Sequence, residues 1–196
     1  MQELAGFSNA VPEITRRISD LAEQLPTPIV LIDGRAGSGK TTLASLLQAA
    51  LFESQLPLPR VLAMDDLYPG WEGLKQGSNY LIDNVLIPLS QNRPAQWQTW
   101  DWEKGVRGGQ DIGNGHRSFE PGGILIVEGC GSLSMTSRTL ANLSIFIERD
   151  EEQRRRAILE RDGTRFDSYW ELWLAQEQEF YQAEASDQIA DLRILH

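Results

Sequence analysis

The chain has 196 residues, of which 28 are acidic and 18 basic, for a formal net charge of −10. That length suits one domain able to bury a core without staples, and 41% hydrophobic with 23% charged residues is ordinary for a soluble protein. The acidic balance argues against non-specific binding to nucleic acid or anionic membrane, while leaving room for a local basic pocket. A single cysteine, Cys130, excludes an intramolecular disulfide and fits a reducing compartment. The first residues, MQELAGFSNAVPE, lack the basic and apolar regions of a secretory signal, and runs such as Ile124 to Val127 are too short to cross a bilayer. The expectation is one cytoplasmic domain over residues 1–196, with no membrane or nucleic-acid partner and an oligomeric state left open.

Val11, Ile14, Ile18, Leu21 and Leu25 recur at helical steps, with Pro12 near the start and Pro26 and Pro28 after the end. Ile29 to Ile32 is a continuous apolar run before a glycine-rich turn, the pattern of a strand buried on both faces. Leu43, Leu46, Leu47, Ala50 and Leu51 predict a helix directly after that turn. Val61 to Met64 reads as a second strand ending at Asp65-Asp66, and Tyr80 to Leu89 as a helix. Gln96 to His116, rich in tryptophan and glycine, reads as a hairpin or excursion from the core. Ile124 to Val127 and Leu143 to Ile147 are further strands. Asp150 to Arg161 is a charged helix, Phe166, Trp170, Trp173, Glu177 and Phe180 mark a longer one, and Ala190 to Leu195 is a last strand. Alternation of strands with helices predicts a parallel sheet covered on both faces.

The sharpest motif is Gly34-Arg35-Ala36-Gly37-Ser38-Gly39-Lys40-Thr41, a G-x-x-x-x-G-K-[ST] loop between a buried strand and a helix. Glycines let successive N–H groups turn inward around phosphate oxygens, and the helix N-terminus adds unsatisfied donors and a favourable dipole. Lys40 would reach the β- and γ-phosphates, and the Thr41 hydroxyl would ligate Mg²⁺. There is no guanine-reading N-K-x-D segment. Arg107-Gly108-Gly109-Gln110 is only an echo of a transporter signature, and the strand at Ile124 ends Val127-Glu128, with valine where a transporter ATPase has its metal-binding Asp. A kinase of small molecules needs a carboxylate at another strand end to take the proton of an attacking hydroxyl, and Asp65 stands there.

Met64-Asp65-Asp66-Leu67-Tyr68 resembles the D-x-F-Y segment of the uridine kinase group of P-loop kinases, which includes phosphoribulokinase and bacterial pantothenate kinase. Trp100-Asp101-Trp102 with Arg107 resembles the group's Y-D-F-x-x-x-x-R, and Ile124 to Gly129 its strand ending Glu-Gly. Asp150, Arg154 and Arg161-Asp162 match the spacing of its lid helix, and Ala190-Asp191 its adenine-side A-D. The combination DDLYPGW with GRAGSGKTTLA is similar to a bacterial set of uridine-kinase-like ATP-binding proteins.

The resemblance implies an α/β fold, a three-layer sandwich whose five-stranded parallel sheet has the order 2-3-1-4-5 counted along the predicted strands, with an arginine-rich lid helix. It implies Mg·ATP as cofactor and a hydroxyl of a nucleoside or related metabolite as acceptor. Asp65, Lys40 and Arg161 would be catalytic. The loop from Gly34 through Thr42, with Arg154 and Asp191, would hold the nucleotide. Asp66, Tyr68, Trp100, Asp101, Trp102, Arg107 and Arg165 would meet the acceptor, and Thr41 and Glu128 the metal. The group's Asp-His-Pro has no counterpart near Gly77-Ser78, and the pyrimidine-contacting histidine falls at Gly105.

Plainer readings stand beside these. Asp65 and Asp66 also suit a solvated turn. Trp97, Trp100 and Trp102 suit a stacking wall or hairpin packing, and Trp170 and Trp173 suit a core face. Glu151–Arg155 and Glu152–Arg156 are i,i+4 pairs that would explain those arginines on a solvated face, whereas Arg154 and Arg161, seven apart, share another face. His116 reads as a loop residue and Cys130 as a small buried side chain. The alternative from another class is an ATP-binding regulatory module with only slow hydrolysis.

Overall fold

A computed structural model describes residues 1–108, 114–163 and 168–196. In chain order the elements are β1 (Gln2–Ala5), α1 (Gly6–Gln24), β2 (Ile29–Asp33), α2 (Lys40–Glu53), β3 (Arg60–Ala63), α3 (Leu74–Leu81) and α4 (Ile87–Ser90). Then come β4 (Ala95–Gln98), β5 (Trp100–Asp101), β6 (Val106–Arg107), β7 (His116–Phe119), β8 (Leu125–Glu128) and α5 (Met135–Leu140). The chain closes with β9 (Leu143–Glu148), α6 (Glu151–Asp162), α7 (Trp170–Glu184), α8 (Ser186–Ile189) and β10 (Leu192–Leu195).

Six strands form one parallel sheet in the order β1-β10-β9-β2-β8-β3. The five predicted strands stand in the expected order, and β1 adds a sixth at the edge beside β10. Four residues long, with only Leu4 shielded from solvent, β1 carries too little apolar pattern to be seen in the sequence. The helix after it starts at Gly6, six residues before Pro12, which lies inside it. Pro12 is exposed and so is Ser8, so the carbonyl that loses its helical partner faces water.

β2 is wholly buried because each of its faces meets a different core. Ile29 and Leu31 join a cluster with residues of β8, α3 and α7, while Val30 and Ile32 join α1 and α2 through Ile14, Ile18, Leu43 and Leu47. Burying each such side chain contributes on the order of 1.5–3 kcal/mol, which fixes this strand at the centre.

Helix α3 runs through a π-helical segment, Ile82–Leu86, into α4, where the Ile87 N–H bonds the Ile82 carbonyl five residues back. Pro88 follows at once. Its ring would strike the carbonyl four residues earlier, and widening the turn relieves that clash. The excursion is a nested antiparallel ladder, β4 with β7 outside and β5 with β6 inside.

The register positions the site. Glu128 lies beside Ile32 and Ala63, and Asp33 beside Phe146. The loop after Asp33, the Glu128-Gly129 turn and Asp65 therefore leave the sheet at one end, as ligand sites in open parallel sheets do.

Candidate active site

The loop from Gly34 to Gly39 owes its shape to residues whose φ is closed to most side chains. Gly34, Gly37 and Gly39 have φ of 145°, 79° and 100°. A Cβ on Gly37 would sit 2.3 Å from the Arg154 carbonyl oxygen, so the loop touches the root of α6 directly. Gly39 ends the loop in the left-handed region, and no side chain caps α2. The first-turn N–H groups of α2 thus face an anion-binding position. Ser38 Oγ is buried without a hydrogen-bond partner among the described residues. This donor set suits a polyphosphate.

Lys40 is buried at the base of this loop. It is 8% exposed, and its Nζ donates to the carbonyls of Gly34 (2.7 Å) and Arg35 (3.0 Å). Burial pushes its pKa down, but the Cys130 sulfur and the carboxylates of Glu128, Glu177 and Asp33 outweigh that and hold the ammonium above its usual range.

Two buried acids to which the sequence pattern gave no role at the site brace this loop. Asp33 Oδ1 accepts from the N–H groups of Gly34 (2.6 Å) and Gly131 (3.0 Å) and from the Tyr181 hydroxyl (2.7 Å), and Oδ2 accepts from Leu133 N–H (2.7 Å). Burial pushes its pKa up to about 6, against the pull of those donors and of Lys40. Glu177, from α7, takes the Ala36 N–H at 2.6 Å and the Cys130 thiol at 3.3 Å, with Arg35 Nη1 at 3.4 Å. Burial raises the Cys130 thiol far above its usual pKa, which makes it a packed donor and not a nucleophile.

A cavity of about 570 Å³ opens over this loop. Ala36, Gly37, Gly39, Lys40, Thr41 and Thr42 line its floor. Asp65, Tyr68 and Glu128 line the strand ends, and Arg149, Ala157, Ile158 and Arg161 come from α6 and the segment just before it. Trp71, Trp102 and Trp173 make an aromatic side. The Thr41 hydroxyl donates to Glu128 Oε1 at 3.1 Å, so the two oxygen ligands assigned to a metal already meet. Glu128 has its pKa raised by burial and by Asp65, with Lys40, Thr41 and Arg161 pulling the other way. A hydroxyl and a carboxylate are hard oxygen donors and fit Mg²⁺, which keeps most of its remaining shell as water and phosphate oxygen.

Asp65 is exposed within a 3₁₀ turn, Met64–Asp66, and its carbonyl accepts Trp102 Nε1 at 3.0 Å. Tyr68 reaches the cavity with its ring, while its hydroxyl is held by the Cys130 carbonyl at 2.7 Å. Trp102 stands in the wall, whereas Trp97 is 5% exposed and packs in the core.

Several expected contacts lie elsewhere. Asp66 is exposed and does not line the cavity. Asp101 accepts the N–H groups of Glu103 (3.1 Å) and Lys104 (3.0 Å), and chiefly through the latter its carboxyl is held below the usual range; it is a turn cap. Arg107 lies 3.6 Å over the Tyr80 ring and 5.8 Å from that of Trp100, and donates to the Leu67 carbonyl at 2.8 Å, so Arg107 and Trp100 fasten the hairpin instead of facing the cavity. Arg154 is 4% exposed and donates to the Ala36 (3.1 Å) and Arg149 (3.2 Å) carbonyls, bracing the loop from behind. The Arg35 side chain likewise turns away, towards Glu177 and the Tyr181 ring. Asp191 precedes β10 at the opposite end of the sheet, paired with Arg138 and accepting from Ser144 N–H and Oγ at 2.9 Å. It is a structural link, not a nucleotide contact. Glu152–Arg156 forms at 3.5 Å, and Arg155 lies 5.9 Å over the Trp170 ring. Arg165, with Phe166, Gly109 and Gln110, lies outside the described residues.

Trp71 was missed. In the sequence it was only the last residue of DDLYPGW, with no role assigned, and its ring stacks on Tyr169 at 4.2 Å, tilted 5°.

No protein-family model and no curated protein matches the chain. Among solved structures it is similar to a possible uridine kinase from Bacillus stearothermophilus, at 19% identity and a TM-score of 0.62, covering 93% of this chain and 99% of that one. It is also similar to a candidate fructose transport system kinase from Silicibacter sp. TM1040, at 17% identity and a TM-score of 0.55, covering 93% and 98%. These likenesses establish the α/β fold with its mostly parallel central sheet. Among the described residues, no helix is long and apolar enough to cross a membrane.

Proposed function

We propose that the chain is an ATP-dependent kinase of small molecules, transferring the γ-phosphoryl group to an acceptor hydroxyl. The observation that carries this reading is the convergence of Lys40, Thr41, Glu128, Asp65 and Arg161 on one cavity. The fold likeness to a possible uridine kinase and a candidate fructose transport system kinase supports it.

Each group has a distinct task. The uncapped start of α2 and the glycine cradle bind the phosphates. Lys40 exchanges its carbonyl partners for phosphate oxygens. Thr41 and Glu128 would hold Mg²⁺, which when bound neutralises triphosphate charge. Asp65 accepts the acceptor's proton as its oxygen bonds to the γ-phosphorus, and the bond from that phosphorus to the bridging oxygen breaks to release ADP. Arg161 and Arg149, on the lid side, counter charge as it spreads over the transferring group.

A panel of hydroxyl metabolites with labelled ATP tests the reading. Transfer to one of them, lowered about 10²–10⁴-fold in kcat by Asp65→Asn with ATP affinity little changed, is the expected result. Slow hydrolysis with no transfer to any acceptor would support the regulatory module instead. An equal loss confined to Asp66→Asn would move the base to the neighbouring carboxylate.

A further inference from the structure

Glu177 is a fully buried carboxylate that takes no part in the chemistry assigned above. Helix α7 carries it to the rear of the phosphate loop, where Oε1 accepts the Ala36 N–H at 2.6 Å and the Cys130 thiol at 3.3 Å. Its other oxygen lies 4.0 Å from Nη1 of Arg154, which is equally hidden from solvent. In a planar trans peptide the N–H and the preceding C=O point to opposite sides. The peptides here are trans. With the Ala36 N–H drawn back to Glu177, the Arg35 carbonyl therefore faces the other way, where it accepts Lys40 Nζ at 3.0 Å. The partner charge sets the next plane. Arg154 Nη1 donates to the Ala36 carbonyl at 3.1 Å, which turns the Gly37 N–H away from the guanidinium, and Gly37 lines the cavity. One buried ion pair thus holds two successive peptide planes of the loop, the acid by an N–H and the guanidinium by a carbonyl. One turn further along α7, the Tyr181 hydroxyl bonds Asp33, which takes the Gly34 N–H.

Resting on the phosphate-binding half of the kinase reading, we propose that Glu177 is a positioning residue of the loop. Through the Arg35–Ala36 peptide it sets the resting place of Lys40, and with Arg154 it keeps the loop shaped for a polyphosphate before one arrives. The hydrogen bond to Ala36 fixes the plane, whereas the charge holds Arg154 and Arg35 in place.

Calorimetry on the full chain, with inorganic triphosphate and with a non-hydrolysable ATP analogue plus Mg²⁺, tests this beside urea melts of the same variants. Glu177→Gln keeps an oxygen for the Ala36 N–H but loses the charge, and Glu177→Leu loses both. Glu177→Leu should bind both probes about tenfold more weakly or worse, while Glu177→Gln should stay within about threefold of the unaltered chain. Both should lower the urea midpoint, since each leaves Arg154 buried without its carboxylate. A role confined to stability would instead make affinity follow the midpoint. The double variant Glu177→Leu/Arg154→Met removes both buried charges and keeps the test available should Glu177→Leu fail to fold; it too should bind about tenfold more weakly. Unchanged affinity in Glu177→Leu or in the double variant, or an equal loss in Glu177→Gln, overturns the proposal and leaves the kinase reading. Binding of neither probe by the unaltered chain overturns both. Binding that depends on Glu177 in the expected way, with no transfer to any acceptor, keeps the proposal and removes the kinase reading.

Discussion

The phosphate end of the cavity and its aromatic end are built by opposite means. At the phosphate end, backbone groups face the ligand position and buried side chains hold them from behind. Asp33, Glu177 and Arg154 each bond main-chain atoms of the loop, and all are almost completely hidden from solvent. At the other end the side chains themselves are the surface. Trp102 is 39% exposed and Tyr169 37%, and they lean on one another through Trp71. The first arrangement fixes a geometry that every nucleotide shares, and its buried polar bonds resist change. The second can alter its shape by exchanging one ring, without disturbing a charged network. On the kinase reading, this separation lets acceptor choice diverge while phosphate chemistry stays constant.

The largest break in this contrast is Lys40→Ala. On the kinase reading turnover should fall by about 10³-fold or more, because the ammonium is the cation that the loop presents to the phosphates. Because Lys40 is buried among Glu128, Glu177 and Asp33, the substitution should also lower the urea midpoint, which an exposed lysine would not do. An unchanged midpoint would show that the ammonium does not hold those carboxylates together.

Asp33 sharpens the comparison through pH. Its folded pKa of about 6 lies above the 3.8 of an ordinary aspartate. Between those values the folded protein binds more protons than the unfolded one, so stability should fall as pH rises from about 4 to 6. The shift corresponds to an order of 2–3 kcal/mol. Urea melts across that range should show the fall, and Asp33→Asn should flatten it. An identical slope in the variant would assign the pH dependence to other groups.

Helix α6 gives the smaller effects. Arg161→Lys should lower kcat about tenfold while changing ATP affinity less, since a planar fork can hold two oxygens of a transferring phosphoryl and an ammonium cannot. Arg155→Ala removes only a solvent-facing cation over the Trp170 ring and should cost about 0.5–1 kcal/mol in stability with no change in rate. Steady-state kinetics and thermal melts on the pair decide whether α6 acts on the reaction or is an ordinary charged helix.

What could be read from the sequence followed from locality. The phosphate loop, Asp65 at a strand end and the Thr41–Glu128 pair depend on short segments whose neighbours in the sheet are set by alternation of strand and helix. Residues whose roles depend on distant partners were misread. Glu177 appeared as one more position on an apolar helix face, yet its carboxylate meets Ala36, 141 residues away. Asp33 had no pattern to announce it, because three of its four donors come from the turn after β8 and from α7. Asp191, Arg107 and Asp101 erred the other way. Their spacing resembled a functional motif, but the backbone and side chains around them use up their hydrogen-bonding capacity.

The edge strand β1 has a consequence in time. Gln2 pairs with Leu192 and Ala5 with Leu195, so the first strand of the described sheet to be made has its partner in the last one. During synthesis β2, β8 and β3 can assemble once Glu128 has emerged, but β1 must wait for β10. Closing that pair brings together segments nearly the whole chain apart, the slowest kind of contact to form. Until then both Gln2–Ala5 and the open side of β9 present unpaired backbone, and the nascent chain is exposed to misassociation at this edge.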